Sequence, residues 1–171
     1  MLCKSCNTEV SPTKFCSNCG AALAASEAKP RAEITPEWIR EIYADLGYEM
    51  GEIKAGDHGS SLVFGQHKQN PNVTIDFRPG LRVLLLTSTW TIKAPNLIDR
   101  GEFFRALNSM NLETIAAQCS VPEKEMGSLY VQVSFFLTDI VSRLDIIAFN
   151  ELATSLTRRV INQPRVQKVM T

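Results

Sequence analysis

Ser128-Leu129-Tyr130-Val131-Gln132-Val133-Ser134-Phe135-Phe136-Leu137 decides the fold. Leu129, Val131, Val133, Phe135 and Leu137 fall on every second position, so one face of an extended strand is apolar and the other is not. Such a face needs a covering layer. The layer comes directly after it. From about Asp139 or Ser142 to Ile161 the sequence reads as a long helix, with Leu144, Ala148, Leu152, Leu156 and Val160 on one face at four-residue spacing and Ile147 beside them. Pro164 limits further extension.

Upstream, more strands and helices appear. A helix begins at Asp99, with Glu102 three residues on as a capping box, carries Phe103, Phe104, Leu107 and Met110 inward, and ends near Asn111. Glu113 to Ser120 is a strand joined to the deciding one through Pro122–Gly127. Before it lie Leu81 to Lys93, the alternating Val73–Phe77, Ser61 to Gln66 and Tyr48 to Lys54. Arg78-Pro79-Gly80, Asn70-Pro71-Asn72 and Gly56–Gly59 mark the turns between them. Short connections imply antiparallel neighbours. Thr35-Pro36-Glu37-Trp38 opens the first helix with an N-cap, a proline at the first position and an acid in the first turn; Gly47 stops it. The fold class is therefore α+β: an antiparallel β-sheet packed with three α-helices, over residues 36–162, with a tail at 163–171.

A different chemistry precedes this body. Four of the chain's five cysteines stand at Cys3-x2-Cys6-x9-Cys16-x2-Cys19. In a reducing compartment such clustering points to metal rather than disulfides. A Cys-x-x-Cys turn presents two thiolates to one ion, and two such turns face to face close a tetrahedral site around Zn2+. Each turn must be left with positive φ, which glycine adopts most easily and asparagine next; those positions hold Gly20 and Asn7. So small a unit has no self-sufficient core, and metal would supply its folding energy, about 10–16 kcal/mol in comparable peptides. Residues 1–22 thus read as a small four-cysteine zinc ribbon with one structural Zn2+ on Cys3, Cys6, Cys16 and Cys19. Iron on the same thiolates and a redox pair are the alternatives. Lys4 and Lys14 exceed Glu9 by only one charge, which four thiolates on Zn2+ more than offset, and Phe15 is the only aromatic. Both facts argue against a phosphate-binding surface. Residues 23–35, small and polar, read as a flexible linker of roughly 20 Å root-mean-square span.

The chain of 171 residues is 44% hydrophobic and 21% charged, with 18 basic against 18 acidic side chains. This balance fits a globular protein and argues against a polycationic nucleic-acid or membrane-surface protein. No apolar run approaches the ~20 residues of a membrane span, and no secretory signal opens the chain, so a cytoplasmic location is expected without membrane insertion. The body offers little chemistry. His58 and His67 fall in turns, and Cys119 reads as a small buried hydrophobe. Asp99 and Glu102 are explained by capping, while Asn108 and Asn111 read as a helix end. Arg158, Arg159, Arg165 and Lys168 form a solvated basic terminus. No catalytic residue is identified, and a non-enzymatic role is expected.

Two resemblances add to this. Cys3-Lys-Ser-Cys6 with Val10-Ser-Pro-Thr-Lys-Phe15-Cys16-Ser-Asn-Cys19-Gly20 resembles the short zinc ribbons at the N-termini of many bacterial proteins, with Lys4 and Asn7 at variable places. The body, through Trp38…Leu46-Gly47-Tyr48, Phe103…Leu107-Asn108-Ser-Met-Asn111 and Tyr130-Val-Gln-Val133, resembles the YbjN family, which is similar in fold to type III secretion chaperones. That resemblance implies a domain that binds proteins and often forms a homodimer. The expected function is a zinc-binding, chaperone-like protein-interaction adaptor with an unidentified protein partner. A zinc-ribbon regulator touching nucleic acid or the transcription machinery is one alternative. An enzyme with an unrecognised site in the body is the other.

Overall fold

The computed structural model describes residues 6–9, 18–20, 28–92, 100–113, 117–121 and 127–170. In chain order these form β1 (Lys29–Pro30), α1 (Pro36–Asp45), β2 (Glu49–Met50), β3 (Lys54–Ala55), β4 (Ser61–Gln66), β5 (Val73–Arg78), β6 (Val83–Thr91), α2 (Arg100–Glu113), β7 (Ala117–Ser120), β8 (Ser128–Phe136), β9 (Ile140–Val141), α3 (Arg143–Ile161) and α4 (Pro164–Met170). Seven strands make one antiparallel sheet in the order β2-β4-β5-β6-β8-β7, with β3 also paired to β4.

The alternation read in β8 sets the two faces of this sheet. Residues opposite one another on neighbouring strands share a face. The row Val63–Ile75–Leu86–Val133–Ala117, one residue each from β4, β5, β6, β8 and β7, is buried throughout. The adjacent row is Phe64–Thr74–Thr87–Gln132–Gln118, polar except for its half-exposed phenylalanine. Within this sheet the strand residues of the two core clusters belong to the first face, which the helices cover, while Asp76 and Leu85 are buried on the other. Trp38, Ile39, Ile42 and Tyr43 of α1 and Ile146, Ile147, Phe149 and Ala153 of α3 fill one cluster with β4, β5 and β6. Phe103, Leu107 and Met110 of α2 fill a second with Cys119, Leu129 and Val131.

α1 begins as its sequence dictates: the Trp38 N–H donates to the Thr35 hydroxyl at 3.2 Å, with Pro36 in the first turn, and Gly47 leaves the helix at φ +90°. α3 is capped by Ser142, whose hydroxyl accepts from the Asp145 N–H at 3.2 Å while Asp145 accepts from the Ser142 N–H at 2.8 Å. Its buried face differs from the one expected. It runs through Ile146, Ile147, Phe149, Asn150, Ala153, Thr157 and Val160; of the expected residues Ile147 and Val160 are buried and Leu144 and Leu156 half-buried, whereas Ala148 is exposed and Leu152 47% exposed. A strict four-residue step drifts around a 3.6-residue helix, whereas mixed steps of three and four stay on one side.

The helices number four among the described residues, against the three expected. Pro164 ends α3 but also opens α4, since a proline at the first helical position loses no hydrogen bond. Val166 and Val169 then bury into the second cluster. Residues 28–35, the second half of the expected linker, lie on the body. β1 pairs with β9, Ile34 is 5% exposed, and Arg31 holds Asp139 by a 2.8 Å ion pair and a backbone bond at 2.9 Å. Cys3, Cys16 and Asp99 lie outside the described residues, as does most of the expected ribbon.

Candidate functional site

The two halves of the cysteine motif meet through the residues between and after the thiols. Asn7 follows Cys6 at φ 54° and Gly20 follows Cys19 at φ 70°, both left-handed as the spacing predicts. Asn18, from the second pair, donates its Nδ2 to Cys6 Sγ at 3.6 Å and to Thr8 Oγ1 at 3.0 Å. Cys6 Sγ also lies 3.4 Å from Thr8 Oγ1. The Thr8 hydroxyl, then the Thr8 backbone, then Asn18 and Cys19, draw the Cys6 thiol down to about 6, so it is largely thiolate at neutral pH. A sulfur already ionised, beside a second cysteine and fed by amide and hydroxyl donors, is the donor chemistry Zn2+ takes. Among the described residues no group of three metal-ligating side chains comes together; Cys6 and Cys19 are two of the four expected.

Cys119 behaves otherwise. It is 6% exposed in the second core, and burial pushes its thiol up to about 11, so it is inert packing. His58 sits exposed in a three-residue 3-10 turn.

His67 is half-buried and belongs to a polar cluster that sequence reading did not assemble. Its Nδ1 accepts the N–H groups of Gln69 and Asn70, each at 2.9 Å, which shapes the turn from 67 to 72. Its ring lies 4.8 Å from that of Tyr48. The Tyr48 hydroxyl donates to Asn150 Oδ1 at 3.3 Å, with Thr154 and Asn70 in hydrogen-bonding reach. Arg158 ties the turn to α3 through the Gln69 carbonyl at 3.2 Å and Asn70 Oδ1 at 3.0 Å. Burial raises Tyr48 above the ordinary phenol range, more than these hydrogen bonds and the Arg158 charge lower it. Open cavities lie on both sides of the turn. One, of about 570 Å³, is lined by Gly47, Glu49, Gln66, His67 and Lys68; the other, of about 340 Å³, by Asn150, Glu151, Thr154 and Arg158. With Nδ1 held by two backbone donors, His67 has only Nε2 left for any ligand, and the lining mixes both charges. Asn150 shares the buried face of α3 with a second polar residue, Thr157, so the sequence did not single it out.

No helix among the described residues is long and apolar enough to cross a membrane. No family model matches the chain, and no curated protein matches it. Solved structures do. YbjN from E. coli, a protein proposed to regulate transcription, superposes with a TM-score of 0.61 at 13% identity, over 81% of this chain and 96% of that one. An uncharacterized protein from Methanothermobacter thermautotrophicus superposes with a TM-score of 0.57 at 15% identity, over 81% of this chain and 100% of that one. At such identities the likeness concerns fold alone, and the body has a YbjN-like α+β fold.

Proposed function

We propose that this chain is a non-catalytic, cytoplasmic adaptor: a ribbon in which Cys3, Cys6, Cys16 and Cys19 hold one structural Zn2+, carried by a chaperone-like α+β body that binds a protein partner. The observation that carries the reading is the pair of left-handed residues, Asn7 and Gly20, each directly after a cysteine pair. Left-handed asparagine is uncommon outside turns that need it, and a zinc knuckle needs it at this place. The Asn18 bridge between the two pairs and the lowered Cys6 thiol support it further. Zinc would be structural, fixing the ribbon's shape. The one-sided sheet and its exposed Phe64 and Phe136 support a binding rather than a catalytic body.

Elemental analysis of the full chain purified without added metal tests the first half: one zinc per chain is expected, and Cys6→Ser or Cys19→Ser should reduce it to a small fraction. Metal-free material with reduced thiols would overturn it. Affinity capture at mild salt, with and without a chelator, tests the second. Partners lost on chelation assign binding to the ribbon, and partners retained assign it to the body. DNA capture that weakens steeply with salt would replace the adaptor reading with a nucleic-acid one.

A further inference from the structure

The outer edge of β7 is closed by a side chain. β7 ends the sheet, with β8 on one side and no strand among the described residues on the other. In an antiparallel ladder alternate residues turn their N–H and C=O away from the neighbour. At Cys119 both groups are taken by one partner: its N–H donates to Asn111 Oδ1 at 2.6 Å, and Asn111 Nδ2 donates to its carbonyl at 3.0 Å. A primary amide accepting from and donating to the same residue reproduces the two bonds that a paired strand residue would make. Asn111 does this from the last turns of α2.

The rest of the strand explains why the plug is needed. Exposed edges are normally blunted by charge, proline or a bulge. The far edge of this sheet has such protection: β2 and β3 carry Glu49 and Lys54 and are broken apart at 51–53, where Glu52 stands. β7 reads Ala117-Gln118-Cys119-Ser120, without charge, proline or bulge. Nothing in it repels a strand of its own sequence.

We propose that Asn111 is a strand surrogate that keeps the sheet from growing, and that removing its amide turns β7 into a pairing edge whose partner is β7 of a second copy of the chain. The inference rests on the fold and is independent of zinc or of any heterologous partner. The test compares the full chain with Asn111→Ala. In the folded variant the Cys119 amide should exchange with solvent about tenfold faster or more at low concentration, since one hydrogen bond of about 1.4 kcal/mol is lost. Sedimentation should show a concentration-dependent association beyond whatever state the parent adopts, and adding Gln118→Lys should suppress the added step. Unchanged protection at Cys119 in a folded variant would overturn the surrogate role. Unchanged association state, or association indifferent to Gln118→Lys, would overturn the pairing. Should Asn111→Ala fail to fold, Asn111→Asp keeps the acceptor for the Cys119 N–H but opposes its carbonyl. It is then expected to associate in the same Lys-sensitive manner, and a strictly parent-like state would overturn the proposal.

Discussion

Tyr43 and Tyr48 are the buried phenols of the larger core, with rings 5.5 Å apart. Burial raises both above the ordinary range, Tyr43 well above it. The folded protein therefore keeps both protons at a pH where the unfolded chain has begun to release them. Stability contributed this way is complete below the ordinary tyrosine value of about 10 and falls as pH rises above it. Urea titrations at pH 8 and pH 11 should show a lower midpoint at the higher pH, and Tyr43→Phe should flatten the alkaline decline; an unchanged slope in that variant would remove Tyr43 as its cause. Tyr48 differs because its hydroxyl is bonded. Tyr48→Phe leaves Asn150 Oδ1 short of a donor in the interior, at a cost of about 1–3 kcal/mol measurable in the same titrations. The cysteine pairs could be read from the sequence as candidate ligands because the whole pattern lies in one linear run, Cys3 to Cys19. The Tyr48 cluster could not: Asn70, Asn150 and Arg158 reach it only through the tertiary fold, and each residue taken singly looks like turn or helix surface.

Element boundaries were legible where two signals agreed. β4 begins and ends where alternation and turn residues both place it, at Ser61 and Gln66. Tyr48–Lys54 instead splits into two short strands, because the chain leaves and rejoins β4 around Gly51, whose N–H still bonds the Phe64 carbonyl at 2.8 Å. Among helices, α3 shows which local signals carry most weight. Its start, open in the sequence between Asp139 and Ser142, is fixed at Ser142 by the capping box, and its buried face includes Asn150 and Thr157, which an apolar count passes over. Ser142→Ala removes half of the capping box and should cost about 1 kcal/mol. Thermal denaturation would show this as a shift of about 2–4 °C for a chain of this size. A shift within error would mean that packing alone holds the start of α3.

For the whole molecule, the division of the core into two clusters makes a distinct statement about cooperativity. α4 packs on α2 and buries Val166 and Val169, each contributing about 1.5–3 kcal/mol. Deleting residues 164–171 should therefore strip hydrogen-exchange protection from α2 and β7 first, while β4, β5 and α1 keep theirs. Protection lost evenly across the sheet would show that the two clusters melt as one. The placement of the tether has a further consequence. Because β1 and the Arg31–Asp139 pair fasten the chain to the body by Lys29, only the run from Gly20 to Ala28 lies between that clasp and the second cysteine pair. The ten Cα steps from Cys19 to Lys29 reach about 35 Å at full stretch. Anything gripped at once by the cysteine-bearing end and the body thus meets a bivalent host on a short leash. Its second contact forms at an effective concentration on the order of millimolar, so two weak grips add up to firm capture.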